Sequence, residues 1–271
     1  GPSGDNQKER AHIMNLPHRD FPHTLDRTVV IQAAPQTVFS FFTDNARWAS
    51  WWGTGSTIDP TSGGRVYIRH ANGIESSGEV AEVEPPRRIV FTYGFNSGNP
   101  IPPGSSRVTI SLEPQGAATR LDLRHEFTEA GTRDEHVQGW RYQLSVFGNV
   151  VADLVHAHAA DTVDAWFGVW SETNEEGRRR TLSRIASSEV RFRDRFSLLD
   201  GLDDLVLHIG ATQRFMPGLT LRRTGDVRHC QGTLLVDWAA VGTDGTGRGA
   251  GTNVFVLQAD GKVDSVTGFW A

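Results

Sequence analysis

In Leu121-Asp122-Leu123-Arg124-His125-Glu126-Phe127, residues 121, 123, 125 and 127 share one parity. From Val137 onward the apolar residues recur instead at three and four, at Trp140, Leu144, Phe147, Val151, Leu154 and Val155. A period of two is a half-buried strand, and a period near 3.6 is one face of an amphipathic helix. The stretch therefore predicts a last strand followed by a helix of about 20 residues with Gln138, Arg141 and Asp153 on its polar side. Thr132 or Asp134 is the expected cap of this helix.

Towards the N-terminus the same reading gives a strand at Thr28–Ile31. Ala34-Pro35 then opens a helix carrying Val38, Phe39, Phe41 and Phe42, since proline suits a first helical turn. A second short helix spans Asp44–Trp51, with Asp44 as N-cap. Arg65–Arg69, Gly78–Val83, Ile89–Tyr93 and Val108–Leu112 read as strands, broken by Asn72-Gly73, Pro85-Pro86, the loop Asn96–Ser106 and Gln115-Gly116. Towards the C-terminus a second helical face runs through Val163, Trp166, Phe167 and Trp170, and another through Leu182 and Ile185. A strand Glu189–Asp194 and a helix Leu202–Phe215 follow, the latter stopped by Met216-Pro217-Gly218. Strands then come at Leu219–Leu221, Gly232–Val241, Asn253–Gln258 and Val263–Phe269, with a glycine-rich loop Gly242–Gly251 and a tight turn at Asp260-Gly261.

The chain of 271 residues is thus expected to hold two α+β domains, 26–157 and 158–271, after a tail over 1–25. Gly1-Pro2-Ser3-Gly4 reads as a cleavage scar and Met14 as a native start. The net charge of −5 opposes a general phosphate-binding field, so no nucleic-acid partner is expected. Cys230 is the lone cysteine, which excludes an internal disulfide or a cysteine-built zinc site. No apolar run approaches the roughly 20 residues of a membrane span. A cytoplasmic protein with no membrane partner, no metal and no cofactor is the expectation.

The first domain resembles the Hsp90-ATPase-activator-like branch of the START/Bet v 1-like (SRPBCC) superfamily. The resemblance rests on Thr28–Ala33 followed by Ala34-Pro35-Gln36-Thr37-Val38-Phe39, on Trp51-Trp52-Gly53, on Glu79–Tyr93 and on Gly139-Trp140. It implies a helix-grip fold, a curved antiparallel sheet wrapped on a long C-terminal helix over an apolar cavity. The second domain resembles the SnoaL-like members of the NTF2-like superfamily. That rests on the helix around Trp166 and Trp170, Glu189–Asp194, Phe215–Gly218, Val236-Asp237-Trp238, and Asp260–Val263 before Thr267-Gly268-Phe269. It implies an α+β cone (cystatin-like) around a second pocket. Comparison with the ketosteroid isomerases of that superfamily implies a general base at Asp194. It replaces the two acidic hydrogen-bond donors by Trp166 and Asn253. Such cones host many unrelated activities.

These readings imply a protein that binds a small hydrophobic, polyketide-, steroid- or aromatic-like molecule, with any chemistry being cofactor-free acid/base work. The alternatives are a non-catalytic carrier of a lipid-like ligand that forms a homodimer through its second domain, and an Hsp90 co-chaperone. In the second domain the ligand-pocket candidates are His208, Arg214, His229, Asp237 and Trp238. His229 and Asp237 share a strand face if no bulge intervenes. In the first domain Trp52 is the aromatic candidate, although an apolar cluster of Trp48, Trp51 and Trp52 is the plainer reading and Trp51 and Trp52 are not both expected to face inward. Arg69, His70, Glu79, Tyr93 and Arg124 are polar strand positions, and the strand parity decides which of them meet a ligand. The blander readings are a loop-capping Asp194, a surface His208, and a solvated Arg178-Arg179-Arg180 face.

Overall fold

The computed structural model describes residues 21–271. The tail assigned to 1–25, with the proposed scar and Met14, therefore lies almost wholly outside the described residues. The remainder of that tail does not hold, because β1 already begins at His23 and runs to Ile31. The chain divides into two compact units. The first comprises the described residues up to Val30 with Pro35–Pro114 and Thr119–Phe147. The second comprises Ile31–Ala34, Gln115–Ala118 and Gly148–Ala271.

In the first unit, α1 (Pro35–Ser40) and α2 (Asn45–Trp52) follow β1. Asp44 caps α2 through a hydrogen bond from Arg47 N at 2.9 Å, as its sequence position predicts. The strands β2 (Thr57–Ile58), β3 (Arg65–Arg69), β4 (Glu75–Glu84), β5 (Arg88–Phe95), β6 (Ser106–Gln115) and β7 (Ala118–Phe127) complete a sheet in the order β1-β7-β6-β5-β4-β3-β2. The long helix α3 spans Ala130–Val155. It starts before Thr132 and Asp134, so neither is its cap.

Alternation decides what the sheet presents to its concave side. Ile89, Phe91 and Tyr93 of β5, Val108 and Ile110 of β6, and Leu121, Leu123, His125 and Phe127 of β7 are all buried. The helix covers them with Trp140, Leu144 and Phe147 at the predicted spacing. Val137 and Leu154, placed on the same apolar face by periodicity, are exposed instead. Trp51 and Trp52 are both buried, against the expectation from a regular helix. They close the last turn of α2, where two different neighbours cover them. Trp51 meets Phe147 edge-on at 4.9 Å, and Trp52 meets Trp140 at 5.7 Å and His70 at 5.8 Å.

The second unit carries α4 (Ala159–Val169), α5 (Glu175–Ile185), α6 (Leu202–Phe215) and strands β8 (Ala186–Asp194), β9 (Ser197–Asp200), β10 (Thr220–Arg223), β11 (Arg228–Cys230), β12 (Thr233–Val241), β13 (Gly247–Leu257) and β14 (Val263–Trp270). The sheet order is β10-β12-β13-β14-β8-β9, with β11 also on β12. Its pairs are antiparallel except β14 with β8, which run parallel, the connection between them passing through one helix, α6, and the strands β9–β13. This is the helix-first α+β cone. Its inner side is a continuous packed cluster that includes Trp166, Phe167, Phe192, Leu205, Val236 and Phe255. Arg178 is buried rather than solvated. Its guanidinium donates to the Glu172 and Thr173 carbonyls and to Gln213 Oε1, so it fastens the loop after α4 to α6.

Candidate ligand cavity and the second-unit carboxylate

The first unit holds a cavity of about 710 Å³ between the concave sheet face and α3. That is within the range of small-molecule sites. Trp52, His70, Tyr93, Phe95, His136 and Trp140 form its characteristic wall. Gly53 brings Trp52 to His70. It has φ 152°, and a Cβ there would lie 2.1 Å from the Arg69 carbonyl oxygen, so only glycine lets the end of α2 abut the end of β3.

Two hydrogen-bond chains fix the polar groups. Trp140 Nε1 donates to His125 Nδ1 at 2.9 Å. An indole N–H is only a donor, so Nδ1 must be a bare lone pair and the ring neutral. His125 Nε2–H is then left to donate to Ser106 Oγ at 2.8 Å, and Ser106 donates to the Tyr93 carbonyl at 2.7 Å. Complete burial, reinforced by the nearby His136, holds the His125 pKa well below the ordinary histidine value. In the second chain Ser76 Oγ donates to Tyr93 Oη at 3.2 Å, and His70 Nε2 lies 2.9 Å from Ser76 Oγ. Serine has one proton, so His70 supplies the proton of that last bond. Tyr93 Oη accepts from Ser76 and keeps its own proton for the cavity. Burial pushes the Tyr93 pKa up to about 12, which keeps it a neutral donor. Burial also lowers the pKa values of His70 and His136. The cavity is thus largely aromatic, with Glu135 the one charged residue of its lining and a few aimed polar atoms.

A second depression, of about 870 Å³, lies on the outer face of the same sheet. Charges of both signs line it, among them Arg88, Arg107, Arg124, Glu82 and Glu126. Arg107 is spent on Glu126 at 2.6 Å and Arg124 on Asp26 at 2.8 Å.

Residues 32–152 match the family model described as activator of Hsp90 ATPase homolog 1-like protein. The match spans α1, α2, the strands β2–β7 and most of α3, and so takes in every wall residue of this cavity. No curated protein matches the chain. Among solved structures, a SnoaL-like family protein from Agrobacterium tumefaciens is similar at 24% identity, over 44% of this chain and 98% of that chain, with a TM-score of 0.40. CalU16 from Micromonospora echinospora is similar at 27% identity, over 46% of this chain and 73% of its own, with a TM-score of 0.40. Protein Ms6760 from Mycobacterium smegmatis shares 21% identity over 50% of this chain and 92% of its own, with a TM-score of 0.42.

Of the polar strand positions in the first unit, Tyr93 and His70 face the cavity. Arg69, Glu79 and Arg124 do not: alternation carries them to the outer face, where all three are exposed. Sequence reasoning passed over Ser76, His125, His136 and Trp140 as site residues. The signal for His125 was its parity with Leu121, Leu123 and Phe127. His136 and Trp140 lie four apart on one helix face.

In the second unit Asp194 is half-buried. Its Oδ1 accepts from Phe196 N at 2.8 Å, and its Oδ2 lies 3.4 Å from Trp270 Nε1. Asn253 is buried and accepts from Trp238 Nε1 at 2.9 Å. Both flank Gly268, where a Cβ would lie 3.0 Å from Asn253 Oδ1 and 3.3 Å from Asp194 Cβ. Trp166 does not join them. It is a core residue, edge-on to Phe192 and Phe255 at 5.8 Å each. His208 holds Ser197 Oγ at 3.1 Å. Arg214 is exposed near the end of α6 rather than in a pocket. His229 and Asp237 do not share a strand face, because the turn at Gln231-Gly232 separates β11 from β12. His229 is bonded to Asp153 at 3.0 Å, and Asp237 is exposed and bonded to Thr252 at 2.7 Å. Trp238 points inward, opposite to Asp237. Among the described residues no three His, Cys, Asp or Glu side chains are arranged to hold a metal ion, and no helix is long and apolar enough to cross a membrane.

Proposed function

We propose that the protein binds a small, uncharged, hydrophobic molecule of aromatic type in the cavity of its activator-like unit. The observation that carries this reading is the aromatic wall with its neutral polar atoms: Trp52 and Trp140 at 5.7 Å, and the Tyr93 hydroxyl left with a free proton beside them. Such walls bind by apolar contact and orient by a few hydrogen bonds. Gly139 supplies the test. It lines the cavity on α3, and a Cβ there meets nothing within 4 Å. Gly139→Phe therefore adds bulk to the cavity, while removing a mid-helix glycine favours the fold by about 0.5 kcal/mol. The neutral probe N-phenyl-1-naphthylamine is expected to brighten with the native protein and not with Gly139→Phe. Equal brightening with both would place the binding elsewhere.

A second reading keeps acid/base chemistry at Asp194, and the pairing of Asp194 with Asn253 across Gly268 supports it. Under it, Asp194→Asn abolishes turnover of any substrate found, whereas probe binding in the first unit is unchanged. An Asp194→Asn protein that turns over such a substrate at the native rate would end this second reading.

A further inference from the structure

The ligand-binding reading leaves open which molecules the cavity prefers, and two atoms on its wall narrow the class. The first is Tyr93 Oη, whose proton remains unspent because Ser76 donates to it. The second is on His136. Its Nδ1 lies 2.7 Å from the Thr132 carbonyl oxygen, one turn back in α3. A carbonyl only accepts, so the proton of a neutral ring sits on Nδ1 and Nε2 carries a bare lone pair. Nε2 has no hydrogen-bond partner among the described residues, and His136 lines the cavity. The Tyr93 and His136 rings stand edge-on, with centroids 6.3 Å apart. These two rings thus offer one donor and one acceptor within the reach of a single two-ring molecule, and the buried Trp52 Nε1, also without a partner among the described residues, is a further donor on the wall. Phe95, 5.6 Å from Tyr93 and 6.0 Å from His136, supplies an apolar surface next to both.

We infer that, given ligand binding at this cavity, its preferred class is an uncharged aromatic molecule carrying both a hydrogen-bond acceptor and a hydroxyl donor, a phenolic ketone by chemistry. Tyr93 Oη–H holds the ketone oxygen and His136 Nε2 receives the phenolic proton in a hydrogen bond. An anionic ligand is disfavoured, because the one charged residue of the lining, Glu135, is itself negative and burial of an unpaired charge is costly.

The experiment compares three probes of nearly equal size at pH 7.0 by calorimetry or fluorescence. They are 6-acetyl-2-naphthol, its methyl ether, and 2-ethylnaphthalene. Each hydrogen bond that is lost is expected to weaken binding by about 3- to 10-fold, so affinity falls in that order. Tyr93→Phe, a nearly isosteric change, brings the methyl ether down to the ethylnaphthalene level and leaves ethylnaphthalene unaffected. His136→Leu removes the difference between the naphthol and its ether. If the native protein binds all three probes alike, this inference is overturned while the cavity reading stands. If none binds, both are overturned.

Discussion

The neutral state of His125 has a measurable consequence for acid stability. Its ring is wholly buried, and the indole N–H of Trp140 points at Nδ1, so the native protein has no room for a second ring proton. The unfolded chain takes that proton near the ordinary value of 6.5. Below that pH the unfolded state binds more protons than the native state, so stability falls as pH falls. The contribution is intact well above 6.5 and declines from there. The loss grows by about 1.4 kcal/mol for each pH unit below 6.5 while the native ring stays neutral. The perturbation is His125→Phe, which deletes the titrating ring. At pH 7.5 it leaves the Trp140 indole N–H unpaired in the core, at a cost of about 1–3 kcal/mol. At pH 5.0 the native protein has lost its His125 contribution and the variant has not. The gap between them is therefore expected to shrink, by up to about 2 kcal/mol. Urea unfolding at the two pH values, followed by tryptophan fluorescence, measures it. His70, His136 and His156 also have lowered pKa values and act in the same direction in both proteins. The difference between the two proteins isolates His125. A gap that stays constant between pH 7.5 and 5.0 would refute the tautomer assignment.

Gly78→Ala places a Cβ 1.7 Å from the Thr92 carbonyl oxygen on the neighbouring strand. The β4–β5 pair must part, and a loss of about 3 kcal/mol or more is expected in chemical denaturation. Phe147→Ala empties a fully buried site ringed by Phe41, Phe42 and Trp51. Its expected cost is about 3–5 kcal/mol, read from the same curves. Asp44→Ala removes the cap of α2 and is expected to cost about 1 kcal/mol. Asp44→Ser, which can still accept from Arg47 N, should recover most of it.

The local periods of the chain were enough to determine its elements. The alternation through β7, the three-and-four spacing of α3, the cap at Asp44 and the glycine turns are properties of near neighbours, and near neighbours are what a sequence displays. The inward parity of His125 was visible for the same reason. Position in the third dimension was not. Arg69 and His70 are adjacent in the chain, yet one is exposed on the outer face and the other meets Trp52, because alternation alone does not say which side of a sheet a helix will cover. His229 and Asp237 were separated by a turn that periodicity did not reveal. Arg178 sits in a run of arginines that reads as solvated, and it is buried because the loop after α4 and helix α6 converge on it. The states of Tyr93, His125 and His136 follow from which single donor or acceptor each ring meets. Those partners come from other strands, from a helix or from one turn back, so only tertiary packing could assign the protons that give the cavity its chemistry.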